Sequence, residues 1–209
     1  MRRTLLLVWA LGALALAQAR PCLVELIKLE PALKLNIHYA RSDNFLGFPV
    51  YPEARAFLQK PAAEALVRAH RSLVKQGYGI VVFDGYRPWR ITKLMADRSP
   101  PEWLGVYVAD PKEGSRHNRG CAVDCSLYDL KTGQQVVMPS GYDDFSQKAH
   151  ADYQGGTEEQ RRLRDLLRRE MEKQGFSVLP SEWWHFDYRD WKSYPLMDVE
   201  FSQIGSQKR

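Results

Sequence analysis

One segment decides the fold of this chain: Ser115-Arg116-His117-Asn118-Arg119-Gly120-Cys121-Ala122-Val123-Asp124. It predicts a polar loop that turns at a glycine and enters a β-strand. A second segment, Glu182-Trp183-Trp184-His185, predicts part of another strand. Together they offer two imidazoles, one carboxylate ligand and one spare carboxylate. A catalytic zinc site needs three N or O ligands and one open position for water, so this donor set favours such a site.

The spacing within the first segment places its groups. If the strand is extended, alternate residues share a face, and Asp124 lies opposite the core face. His117 is seven residues away, an odd number, so it must lie in the preceding loop, with Gly120 providing the bend. A carboxylate between Val123 and Cys125 costs several kcal/mol unless its charge is compensated, and a dication would do so. The expected core face consists of Cys121, Val123, Cys125 and Leu127.

Each of these residues also has an ordinary structural interpretation. A single histidine near a strand is usually hydrogen-bonded, an aspartate can make a local polar contact, and Trp183 and Trp184 can be core. The combination is what favours a metal. Glu182 lies three residues before His185, so it can stand beside the metal without ligating it and take a proton from water.

The rest of the chain predicts a single compact α+β domain with a small mixed or antiparallel sheet flanked by helices. Apolar residues recur at helical spacing after Pro61, which predicts a helix that ends at Gly77. Thr157 begins a capping box, which predicts a second helix after it. A shorter helix is expected from Pro88 to about Arg98. The predicted strands are 34–39, 78–83, 121–128, 176–179 and 183–188.

The amino terminus is typical of an exported protein. Arg2 and Arg3 precede an apolar run from Leu5 to Ala17, and a small-x-small site ends at Ala19. This predicts a signal peptide, residues 1–19, followed by one domain, residues 20–209, in the periplasm or outside the cell. An uncleaved anchor is the alternative. No second long apolar run follows, so no stable membrane span is expected after cleavage.

Charge and cysteine content exclude some classes and leave others open. The formal charge of +5 comes from interspersed signs, without a basic stripe, so no nucleic-acid partner is expected. Cys121 and Cys125 lie about 13 Å apart along an extended strand at ~3.3 Å per residue, too far for a disulfide with each other. Any bridge must therefore use Cys22, with either partner possible. Oligomeric state stays open.

Both metal-binding segments, as S-x-H-x-x-G-x-A-x-D and E-W-W-H, resemble the D-alanyl-D-alanine dipeptidases, the zinc enzymes of vancomycin resistance and peptidoglycan recycling. The resemblance extends from about Leu35 to Pro195. Three further segments carry it: Asp84-Gly85-Tyr86-Arg87-Pro88, Tyr39-Ala40-x-x-Asp43-Asn44-Phe45, and Tyr142-Asp143 before Ala149-His150.

The resemblance implies an α+β zinc-peptidase domain that hydrolyses a small D,D-dipeptide with one Zn2+ per chain. The metal ligands would be His117, Asp124 and His185. Glu182 would be the general base, and Arg87 would stabilise the oxyanion; the alternative for Arg87 is a surface salt bridge. Positions that match substrate contacts are Tyr39, Ser115 and Asp143. Arg116 is a departure, because a small residue is usual there.

Three other functions are compatible with parts of the sequence. A zinc D,D-carboxypeptidase of the same superfamily would trim peptidoglycan stems instead of free dipeptide. A structural metal clamp or wall-binding module would leave Glu182 as a needless charge. The triplets of serine penicillin-recognising peptidases also occur, at Ser72 to Lys75, Ser42 to Asn44 and Lys131 to Gly133, but in the wrong order.

Overall fold

The computed structural model describes residues 21–205, which form one α+β domain. Its strands are β1 Leu23–Glu25, β2 Lys34–Leu35, β3 Phe57–Gln59, β4 Tyr78–Asp84, β5 Ala122–Asp129, β6 Phe176–Leu179 and β7 Glu182–Tyr188. Its α-helices are α1 Leu26–Leu29, α2 Lys60–Val74, α3 Trp89–Arg98 and α4 Glu158–Glu172. The expected signal peptide, residues 1–19, lies outside the described residues.

The main sheet has five strands in the order β2-β4-β5-β7-β6. β2 runs parallel to β4, and the other neighbouring pairs are antiparallel, so the sheet is mixed as predicted. β1 and β3 form a separate antiparallel pair. β5 lies at the centre of the main sheet and is buried along almost its whole length.

The two long helices cover one face of this sheet. α2 packs on β4, α4 packs on β5 and β6, and the two helices contact each other. Both present an apolar stripe to the sheet, including Leu66 and Leu73 from α2 and Leu163 and Leu167 from α4. The opposite face therefore stays available for the loops that carry the candidate site.

The structure confirms the helix boundaries that had explicit signals. Thr157 accepts a hydrogen bond from the amide of Gln160, and the Gln160 side chain accepts one from the Thr157 amide, which forms the capping box. Pro61 lies in the first turn of α2, where its missing amide costs nothing. Gly77 and Gly175 follow the two long helices with φ of +88°, a conformation that favours glycine.

Two parts of the strand prediction were wrong. The alternation over 34–39 predicted one strand, but the chain pairs only at Lys34–Leu35 and then forms a 3₁₀ turn at His38–Ala40. Tertiary contacts override the alternation here, because the Tyr39 carbonyl accepts from the amides of Val50 and Tyr51 instead of from a neighbouring strand. The short elements β1, α1 and β3 were also missed.

The cysteines and the surface give two further results. Cys22, Cys121 and Cys125 are all free thiols, with Cys22 exposed and the other two buried. Lys131 and Thr132 lie in a turn, as expected, and Ser72 donates a hydrogen bond to Glu170. No helix within residues 21–205 has the length and apolar character needed to cross a membrane.

Candidate metal centre and active-site cavity

Three elements bring the predicted ligands together. Asp124 on β5 and His185 on β7 are register partners, so their side chains leave neighbouring strands side by side. His117 begins a 3₁₀ turn, His117–Arg119, immediately before β5. Gly120 ends that turn with φ of +67°, which reverses the chain into the strand and turns the imidazole towards Asp124.

The three ligand atoms form a tight, buried triangle. Asp124 Oδ1 lies 3.3 Å from His117 Nε2 and 3.0 Å from His185 Nδ1, and the two imidazole nitrogens are 3.2 Å apart. All three side chains are buried. Metal bonds of ~2.0–2.1 Å in a tetrahedral site put neighbouring ligand atoms about 3.3 Å apart, so the triangle has a suitable size for zinc.

Each imidazole has one nitrogen that faces away from the triangle, and the hydrogen bond made there determines which ring nitrogen carries the proton. His117 Nδ1 lies 2.7 Å from the carbonyl oxygen of Gly85, which can only accept, so Nδ1 carries the proton. His185 Nε2 lies 2.9 Å from the Asp187 carboxylate, which assigns its proton in the same way. When both rings are neutral, the lone pairs of His117 Nε2, His185 Nδ1 and Asp124 Oδ1 therefore face one another. A bound cation fits this donor set, because it would satisfy all three at once.

A hydrogen bond also orients the Asp124 carboxylate. Tyr142 donates its hydroxyl to Asp124 Oδ2 at 2.9 Å, which leaves Oδ1 for the centre. Sequence reasoning missed both Tyr142 and Asp187 in these positions. Asp187 could have been found, because it lies two residues after His185 and therefore on the same strand face. The position of Tyr142 beside Asp124 depends on the loop path, which no spacing rule gives.

Mutual contacts change the protonation of this group when no metal is bound. Burial acts to raise the pKa of Asp124, but the imidazoles of His117 and His185 outweigh it and hold that pKa well below its usual range. Burial acts to lower the pKa of His185, but hydrogen bonds to Asp124 and Asp187 raise it to about 10. A metal ion must displace this proton, so metal affinity should rise with pH.

Glu182 stands beside the triangle without belonging to it. Its carboxylate oxygen lies 3.8 Å from His185 Nδ1, and its side chain is largely buried. Burial raises the pKa of Glu182, which makes the carboxylate a better proton acceptor. Glu182 is the first residue of β7, so the same strand that carries His185 also fixes this carboxylate.

Arg87 is buried, not exposed in a surface salt bridge. Its Nε and Nη2 donate to Asp84 Oδ2 at 3.0 and 2.7 Å. Asp84 Oδ1 accepts from the Tyr51 hydroxyl and from the Gly85 amide, both at 2.8 Å. A β-bulge between Val82 and Asp84 brings this aspartate opposite Asp124. The Arg87 cation is therefore fixed on the ligand side of the sheet.

The predicted substrate contacts separate into two locations. Tyr39 donates its hydroxyl to Asp143 at 3.0 Å, and both residues line an inner cavity of about 40 Å³. Asp143 has a φ of +55°, and no other non-glycine residue between 21 and 205 has a positive φ. Such strain needs support from the surroundings and is common at functional sites. Ser115 lines an outer cavity of about 270 Å³ instead, and its hydroxyl accepts from the His117 amide at 3.2 Å.

The metal triangle lies where these two cavities meet. Arg87, His117, Glu182 and His185 line both of them. Aromatic side chains close the inner cavity, namely Tyr39, Phe45, Tyr107, Phe145 and Trp184. The segment 105–109 forms part of the outer wall, with Val106 exposed. The triangle is thus bordered by a small cavity of about 40 Å³ and a larger cavity of about 270 Å³.

The fold and the site together indicate a class, the metal-dependent hydrolases, because two histidines and one aspartate could hold a metal ion beside a further carboxylate. The family model described as D-ala-D-ala dipeptidase matches residues 20–204. The chain therefore belongs to the D-ala-D-ala dipeptidase family, as the sequence resemblance predicted.

Individual relatives agree with the family match. The D-alanyl-D-alanine dipeptidase of Escherichia coli is 34% identical over 180 residues, which cover 86% of this chain and 91% of that protein. The D-alanyl-D-alanine dipeptidase of Enterococcus faecium is 35% identical over 189 residues, covering 81% and 92%. The enzyme of that name from Enterococcus faecalis is 34% identical over 183 residues, covering 78% and 89%.

Proposed function

We propose that this protein hydrolyses the D-alanyl-D-alanine dipeptide, with one Zn2+ held by His117, Asp124 and His185. The observation that carries the proposal is the triangle formed by His117 Nε2, His185 Nδ1 and Asp124 Oδ1, whose sides are 3.0–3.3 Å. The Glu182 carboxylate lies beside this triangle and is not part of it. Two imidazoles and a carboxylate around an open position favour zinc among the divalent ions. The names of the relatives support the choice of substrate.

The chain's own residues divide the chemistry between them. When bound, Zn2+ would lower the pKa of a water molecule and polarise the scissile carbonyl. Glu182 takes the proton from the attacking water and returns it to the leaving amine. Arg87 faces the same cavities, and Asp84 fixes it in place, so its charge stabilises the negative charge that develops on the carbonyl oxygen.

The inner cavity supplies the specificity in this proposal. Asp143 takes the free ammonium group of the dipeptide, and Tyr39 holds that carboxylate by a hydrogen bond. The cavity is small and walled by aromatic rings, which suits a methyl side chain. Ser115 contacts the part of the substrate that lies in the outer cavity. A peptide with a blocked amino group would leave the buried Asp143 carboxylate without a positively charged partner.

The test is hydrolysis of free D-alanyl-D-alanine by the purified protein, before and after a chelator, followed by add-back of Zn2+. Activity that is lost with the chelator and restored by Zn2+ is expected; activity unaffected by the chelator would exclude the metal mechanism. N-acetyl-D-alanyl-D-alanine is the matched substrate. Its ready hydrolysis would favour the alternative, a zinc D,D-carboxypeptidase that trims peptidoglycan stems.

The same proposal includes export. The sequence supports a signal peptide at residues 1–19, cut after Ala19, and hence a location in the periplasm or outside the cell. Intact mass of the exported protein should correspond to a chain that begins at Arg20. A mass that includes the first 19 residues would support an uncleaved anchor instead.

A further inference from the structure

The Asp187 carboxylate lies between a metal-ligand histidine and an arginine. Its Oδ1 accepts from His185 Nε2 at 2.9 Å, and its Oδ2 lies 3.2 Å from Arg116 Nε. The Arg116 guanidinium in turn lies over the Trp191 ring, 4.9 Å from its centroid. These contacts form a chain from the protein surface to the metal triangle.

The two imidazoles are therefore supported differently. His117 is held by the backbone carbonyl of Gly85, whose position the fold fixes. His185 is held by a side-chain carboxylate, which has rotatable bonds that a backbone carbonyl lacks, and the Asp187 side chain is 14% exposed. A carboxylate keeps one orientation when both oxygens are engaged, and Arg116 engages the second oxygen.

Chain connectivity makes this arrangement compact. Arg116 directly precedes His117, so one short loop provides two groups. His117 is a ligand in the proposed site, and Arg116 contacts Asp187, the residue that holds His185. The cation is also placed by its position on Trp191, which lowers the cost of ordering a long side chain.

We propose that Arg116 and Asp187 are positioning residues for His185: Arg116 fixes Asp187, and Asp187 fixes the ring with Nδ1 towards the metal. The inference rests on the proposed metal site but not on the identity of the substrate. Loss of either residue weakens metal binding, although Arg116 never touches the metal. Changes to such supporting partners typically reduce metal affinity about 10–100-fold.

The experiment measures the Zn2+ dissociation constant by chelator competition, and the visible spectrum of the Co2+-loaded protein. Asp187→Asn should raise the dissociation constant at least about tenfold, and Arg116→Ala several-fold, with altered Co2+ bands in both. Arg116→Lys, which keeps a cation near Asp187, should restore most of the affinity. In the Asp187→Asn background, Arg116→Ala should raise the Zn2+ dissociation constant little further, because both substitutions act through the contact between Asp187 and His185.

The sign of the Arg116→Ala effect separates positioning from simple electrostatics. An arginine near a dication repels it, so removing the charge alone would tighten metal binding. Lys192→Ala is the matched control, because Lys192 lies over the same Trp191 ring, 5.4 Å from its centroid, and is exposed. A dissociation constant that falls or stays the same in Arg116→Ala would overturn the proposal. Wild-type protein that binds Zn2+ but leaves D-alanyl-D-alanine intact would refute only the proposed function.

Discussion

The Tyr142 hydroxyl donates to Asp124 Oδ2 at 2.9 Å, while Asp124 Oδ1 faces both imidazoles. The phenol therefore determines which carboxylate oxygen faces the imidazoles and, in the proposed site, would be offered to the metal. Burial raises the pKa of Tyr142 well above its usual value, so the hydroxyl remains a donor at physiological pH. The ring itself is held by Phe83 and Trp184, with centroids at 4.8 and 5.6 Å.

Tyr142→Phe should therefore weaken metal binding without disturbing the packing. The Phe83 and Trp184 contacts remain, but Asp124 loses the donor on Oδ2, so we expect a Zn2+ dissociation constant about tenfold higher. Chelator competition measures the dissociation constant. The unfolding free energy of the metal-free protein should fall by about 1.5–3 kcal/mol, because a buried carboxylate loses a hydrogen bond. Unchanged zinc affinity would show that the hydroxyl does not orient the ligand.

Glu182→Gln should separate chemistry from metal binding. The amide keeps the size of the side chain but cannot accept a proton from water, so kcat should fall by about 10²–10⁴-fold. The zinc content should remain at one per chain, because Glu182 lies beside the triangle and not in it. Steady-state kinetics and metal analysis on the same sample test both expectations. A variant with full turnover would show that Glu182 is not the general base.

The sequence predicted the central elements because their signals are local. β5 and α4 carry an apolar pattern or a capping box that the structure keeps. The sequence also placed His117 in a loop ended by Gly120, since an odd spacing from Asp124 excluded one flat strand. Side chains alternate between the two faces of a strand, so residues an odd number apart lie on opposite faces. Family resemblance then supplied the roles.

The elements that were missed depend on distant contacts. β1 and β3 are three-residue strands that pair across more than thirty positions, and short strands have too few residues to show a period. The strand expected over 34–39 stops because the Tyr39 carbonyl binds the amides of Val50 and Tyr51. Tyr142 reaches Asp124 only through the path of a loop. Such contacts follow from the packed fold and leave no local pattern.

Arg87→Lys should lower turnover more than it weakens substrate binding. Lysine keeps the charge but not the two hydrogen bonds by which Nε and Nη2 converge on Asp84 Oδ2, so the cation loses its fixed direction. A fall of about tenfold or more in kcat is expected, with a smaller change in KM, because the interaction forms mainly in the transition state. Thermal unfolding controls for damage to the buried pair. A change confined to KM would make Arg87 a substrate-binding residue only.

Glu25 should contribute stability that depends on pH independently of the metal. The Arg55 guanidinium binds both its oxygens at 2.8 Å and, against the opposing effect of burial, lowers the pKa of Glu25 from 4.5 to about 2. Because the folded pKa is depressed, this stability is present above about pH 4.5 and is lost as the pH falls towards 2. The shift corresponds to at most about 3.5 kcal/mol.

Glu25→Gln, compared with wild type in urea unfolding at several pH values, tests this expectation. Chelator is present throughout, so that release of metal at low pH does not enter the comparison. The difference in unfolding free energy should be constant above about pH 5 and shrink at lower pH, because the wild-type carboxylate then gains a proton and resembles the amide. Glu53→Gln is the control, since Glu53 also pairs with Arg55 but is 41% exposed and should matter little. If the Glu25 difference stayed constant down to pH 2, the ion pair with Arg55 would not be the source of its stability.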